Sequence, residues 1–105
     1  MTDNRYETTR MLTPPRKVLV DPRRIWVSPV RRPERTMPVT LGEKAAALDP
    51  RLGEEWIPAL GYRWARLRFG EPAWFLEVEL ELRSANGHVA LSLRQWVPWD
   101  CVKPA

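Results

Sequence analysis

The chain has one cysteine, one histidine and five glycines in 105 residues, and each shortage removes a class of chemistry. A lone thiol, Cys101, excludes an internal disulfide, and with a single histidine the usual zinc-ligand spacings cannot be assembled. The glycines stand singly at turns and breaks, so no glycine-rich loop is available to cradle a phosphate. No apolar run approaches the ~20 residues that a bilayer-crossing helix needs. The first residues, Met-Thr-Asp-Asn-Arg-Tyr, lack the apolar stretch of a secretory signal. The expectation is a cytoplasmic protein in a reducing compartment, with no metal and no cofactor.

Convergent catalytic groups are equally scarce. His88 directly follows Asn86-Gly87, where a solvated turn tip is expected rather than a cleft. Cys101 sits beside Asp100, whose charge disfavours the thiolate that a nucleophile requires. Glu77, Glu79 and Glu81 alternate along one segment at ~6.5 Å intervals, and flanking arginines make them a charge-compensated ladder rather than an acid–base pair. The reading is that the chain is not an enzyme.

What the sequence does carry is a meander from Tyr62 to Val97. Leu76, Val78, Leu80 and Leu82 alternate with Glu77, Glu79, Glu81 and Arg83, the period of a strand with one buried face. Asn86-Gly87 reads as a two-residue type I′ hairpin turn. That turn pairs Leu82 with Leu91, Leu80 with Leu93, Leu76 with Val97, and Glu79 with Arg94. A second two-residue turn at Glu71-Pro72 would pair Leu67 with Leu76, Ala65 with Val78 and Arg66 with Glu77. Those pairings place Tyr62, Trp64, Arg66, Arg68, Phe75, Arg94 and Trp96 on the polar face with the three glutamates.

Ahead of the meander, residues 1–15 suggest a flexible arm without regular structure, ending in Pro14-Pro15. Lys17–Val20 and Ile25–Ser28 suggest a short hairpin about Asp21-Pro22-Arg23-Arg24. Thr40-Leu-Gly-Glu43 has the spacing of a helix-capping box, with Leu41, Ala45 and Leu48 on one face and Pro50 closing the helix. Asp49-Pro50 could start another turn reaching about Trp56. Residues 16–100 then form a single globular domain, and 101–105 a tail without a strand. The fold class is mainly β, with α+β as the alternative. It is a compact antiparallel sheet or small barrel-like domain of about five strands, with one short helix inserted after the second strand.

Charge is uneven. The net +4 comes wholly from the first forty residues, where Arg16, Lys17, Arg23, Arg24, Arg31, Arg32 and Arg35 cluster among prolines. Such a strip suits phosphate or an acidic protein. Six tryptophans supply large rigid contact area. Trp- and Arg-rich chains of this length are common among small accessory proteins of phages and mobile elements, an association of composition alone. The functional expectation is a small non-catalytic, accessory or inhibitor-like module. It would act through protein–protein contacts, with itself as a homodimer or with another chain, at Trp26, Tyr62, Trp64, Arg66, Arg68 and Trp96. The alternative is a nucleic-acid-associated protein using the seven basic residues above. No membrane partner is expected.

Overall fold

In the computed structural model, residues 7–26, 40–51 and 55–105 are described. They form six strands: β1 (Thr9–Val20), β2 (Leu48–Asp49), β3 (Ile57–Arg68), β4 (Pro72–Ser84), β5 (Ala90–Pro98) and β6 (Val102–Pro104). One α-helix, α1 (Leu41–Ala46), lies ahead of the meander. All strand pairs are antiparallel, in a single sheet curled into a half-barrel. The order is β2-β4-β3-β1-β6, with β5 on the other side of β4.

The alternating segment behaves as its period demands. Leu76, Val78 and Leu80 are fully or almost fully buried on the inner face of β4, and Val97 joins them from β5. The β4–β5 pairing is the expected one throughout, from Leu76 with Val97 to Leu82 with Leu91. Its turn is not. The connection opens to four residues between Ser84 and Val89, and the Gly87 amide donates to the Ser84 carbonyl. Only Gly87 takes positive φ, at 76°, so Asn86 does not form half of a type I′ turn. Its side-chain oxygen instead accepts from Ser84 Oγ at 2.6 Å and from the His88 amide at 3.0 Å. Lengthening the loop by one residue on each side leaves the register unchanged.

The other hairpin departs from expectation. Three residues, Phe69 to Glu71, join β3 to β4, with Arg68 opposite Pro72 and Gly70 at φ 132°. Trp64 therefore pairs with Leu76, Ala65 with Phe75 and Arg66 with Trp74. A loop of odd length exchanges the two faces of β3. Trp64 and Arg66 move to the inner face, away from the glutamates. A bulge between Gly61 and Arg63 then restores the phase, so Ile57, Ala59 and Gly61 also face inward.

Strand β1 begins at Thr9, inside the stretch for which the sequence suggests no regular structure. Pro14 and Pro15 hide its alternation, and its register against β3 shifts between Met11 and Arg16. The hairpin expected from Ile25–Ser28 does not form. Val20 pairs with Ile57 and Val102, and Val18 with Ala59 and Pro104, so both edges of β1 are occupied. Asp21 accepts a hydrogen bond from the Arg23 amide at 3.0 Å and caps a 3-10 turn over Pro22–Arg24, steering the chain out of the sheet. Ile25 and Trp26 pack against the core formed by Val18, Val20, Ile57, Leu76, Val78, Leu80 and Val97. Val27 and Ser28 lie outside the described residues. The segment after Val97 also departs from its reading, since Val102–Pro104 is strand β6.

Helix α1 is capped as its sequence indicates, Thr40 Oγ1 accepting from the Glu43 amide at 3.1 Å. Its apolar face is not buried: Leu41 is 84% exposed. The Asn86 amide donates to the Ala45 carbonyl at 2.9 Å and ties the helix to the β4–β5 turn. Leu48 and Asp49 pair with β4 rather than extending the helix. Asp49 Oδ1 accepts from the Arg51 amide at 2.8 Å, and residues 52–54 of the expected second turn lie outside the described residues.

Candidate binding surface

The sheet's two faces carry different chemistry. On the outer face every glutamate of the ladder has an arginine. Glu79 accepts from the Tyr62 hydroxyl at 3.0 Å and from Arg94 Nε at 3.4 Å. The Arg94 guanidinium lies 3.8 Å from the Tyr62 ring centre. Arg63 reaches Glu77 at 3.4 Å while covering Trp96, and Arg83 pairs with Glu81. The charge compensation is as the sequence implies, but Arg63 rather than Arg66 supplies it at Glu77. Stacked guanidiniums at such partly exposed sites contribute about 0.5–1 kcal/mol each. The outer face is thereby satisfied within itself.

The inner face is different beyond the end of the core. Arg10 pairs with Trp64 across β1 and β3, and Arg66 with Trp74 across β3 and β4, so all four side chains project to the same side. The Arg66 guanidinium lies 4.9 Å from the Trp74 ring and that of Arg10 5.6 Å from it. Arg10, Trp64, Pro72, Ala73, Trp74 and Trp99 line an open basin of about 540 Å³. Trp64 also borders a second cavity of about 390 Å³, where Arg16, Lys17 and Lys103 flank Leu12, Leu76 and Val102. Among the described residues no aspartate or glutamate lines either one. Glu7 pairs with Arg10 through two hydrogen bonds of 3.0 Å, which, with the charges of Arg10 and Arg66, hold its carboxyl below the usual range.

Trp99, at the basin rim, is 59% exposed. It belongs to a 3-10 turn, Trp99–Cys101, anchored from below. There the Asp21 amide donates to the Cys101 carbonyl at 2.9 Å, and Arg24 meets Asp100 at 2.8 Å. Cys101 itself is fully buried, and burial pushes its thiol up, with Asp100 and Asp21 adding to the effect against Arg24. His88 is exposed at the β4–β5 turn. Among the described residues no three His, Cys, Asp or Glu side chains converge as metal ligands would.

The residues singled out for protein contact are thus divided. Tyr62 and Trp96 belong to the outer ladder, Trp64 and Arg66 to the inner basin, Arg68 to the exposed end of β3, and Trp26 to the margin of the core. Of the basic strip, Arg16 and Lys17 line the second cavity, while Arg23 and Arg24 are held by Asp21 and Asp100. Arg31, Arg32 and Arg35 lie outside the described residues. Sequence reasoning missed Arg10, Trp74, Trp99 and Lys103. For Trp74 a signal was present: it shares the parity of Leu76 and Val78 and had to face inward with them.

No protein-family model matches the chain, and no curated protein or solved structure is detectably similar to it. No helix among the described residues is long and apolar enough to cross a membrane.

Proposed function

We propose that the protein is a small non-catalytic binding module and that the basin between Trp64, Trp74 and Trp99 is its contact surface. The observation that carries this reading is the convergence of three indoles on one open cavity, beside arginines that are already oriented by stacking. Tryptophan and arginine are the residue types that dominate contact energy when they are ordered before binding. A protein segment laid across the rim would be in keeping with an accessory or inhibitor-like role.

A buried, pKa-raised thiol and a histidine on an exposed turn support a role without catalysis, since neither is presented to a cleft. The second reading, nucleic acid, is favoured by a lining without acidic side chains among the described residues and by Arg16 in the adjoining cavity, with Lys17 and Lys103 at its border. Panning a displayed peptide library against the wild-type protein and Trp99→Ala tests the surface. Peptides enriched by the wild type and lost with the variant are expected. Enrichment that is indifferent to Trp99 would remove the basin from the account. Size exclusion with light scattering checks the self-association form of the same reading.

A further inference from the structure

We infer that the basin takes a short single-stranded nucleic acid, an inference that rests on the basin being the contact surface. Non-specific readers of single strands combine a cationic groove for the phosphates with aromatic platforms for the bases. Both parts are present on the inner face, in contiguous order. Trp99 offers an indole uncovered over more than half its surface at the rim. Trp74 follows, with the guanidiniums of Arg10 and Arg66 poised at 5.6 and 4.9 Å from its ring. Trp64 leads into the second cavity, where Arg16, opposite Gly61, supplies a further inward cation, while Lys17 and Lys103 border it from strand positions of the opposite parity.

The main electrostatic objection to such a ligand is a row of glutamates running through the surface. The three-residue β3–β4 connection removes it, because Trp64 and Arg66 face inward while Glu77, Glu79 and Glu81 stay outside, each tied to its own arginine. The Glu7 carboxylate pairs with Arg10 and also feels the charge of Arg66, so it offsets part of the basin's positive charge without being one of its lining residues. Cavities of about 540 and 390 Å³ fit exposed bases, whereas a duplex keeps its base faces stacked and inaccessible. Recognition through ring faces and phosphates would be tolerant of sequence. An acidic peptide satisfies the cations but leaves the indoles without a stacking partner unless it is also aromatic.

Fluorescence anisotropy with labelled oligothymidylate of ~12 nucleotides tests this directly. Binding is expected to weaken roughly 10–100-fold between ~50 and ~200 mM salt. Trp99→Ala, an exposed change whose fold is checked by circular dichroism, should lose roughly 5–100-fold in affinity. Arg16→Ala should make the log–log salt slope shallower by about 0.7. Arg83→Ala, at the far end of the outer ladder, should change nothing. Absence of salt-dependent binding at ~50 mM would overturn the inference, as would a duplex that binds as tightly as the strand. If a glutamate- and tyrosine-rich peptide binds in a Trp99-dependent way while the oligonucleotide does not, nucleic acid falls and the basin stands. If the oligonucleotide binds equally well to Trp99→Ala, both fall.

Discussion

A Cβ placed on Gly61 would stand 2.9 Å from Cδ2 of Leu76, which is itself fully buried. The glycine is therefore required by contact, not by backbone conformation. Leu76 fills the space that a side chain on β3 would occupy, just where the bulge returns the strand to its inward phase. Gly61→Ala should cost about 1–3 kcal/mol of stability through overpacking, measured by urea denaturation. In a Leu76→Val background the same change should cost less, since the pair shares one space. Equal costs in the two backgrounds would show that the contact is not tight.

Glu79 is the hub of the outer ladder, taking both the Tyr62 hydroxyl and Arg94. Tyr62→Phe should cost about 0.5–1.5 kcal/mol as a lost hydrogen bond in a half-buried setting. Arg94→Ala should cost about 0.2–1 kcal/mol, the usual worth of an exposed pair. A double-mutant cycle reads their coupling through Glu79, and strict additivity would show that the two contacts are independent.

Side-chain hydrogen bonds from Arg23 hold the Asp21 carboxyl below its ordinary value, and the Arg23 amide adds to the effect. Because the folded pKa is the lower one, this contribution is complete above about pH 4 and is lost as pH falls through the folded value. Asp21→Asn should lower the melting temperature at neutral pH and flatten its decline in acid. An unchanged acid profile would mean that the 3-10 turn does not depend on the charge.

Burial raises the Cys101 thiol pKa, so the folded state keeps it neutral where an unfolded chain would begin to ionise. The associated stability is present below about pH 8.5 and is lost as pH rises through the folded value. Iodoacetamide at mildly alkaline pH should modify the native protein far more slowly than the urea-unfolded chain. Similar rates would place Cys101 within solvent reach.

The legible parts of the fold are those set by local pattern. Alternation from Leu76 to Leu82 fixed the buried face of β4, and Asn86-Gly87 centred its hairpin correctly although the loop is two residues longer. Thr40 and Glu43 marked the helix start. What failed depended on odd-numbered geometry or on distant partners. Pro72 opens β4 instead of occupying the turn, and that single choice carries Trp64 and Arg66 to the other face. The bulge between Gly61 and Arg63 was signalled only by the isolated glycine in the strand, which does not say where the register shifts. Val18 and Val20 were recognisable as strand residues, but their partners, Ala59, Ile57, Pro104 and Val102, come from elsewhere in the chain. The basin was hidden for the same reason, since β1, β3, β4 and the turn before β6 all contribute to it.

The pairing of Val18–Val20 with Val102–Pro104 joins the first strand to the last. Meander contacts close short loops, whereas this one closes nearly the whole chain, and long loops form late because their entropy is lost before any contact repays it. The expected order of assembly is therefore β3 to β5 first, then β1, then β6, readable as progressively weaker amide-exchange protection along that series. Val102 and Lys103 reach the second cavity only at the last of these steps, so the module would acquire its full grip on a ligand at the very end of folding.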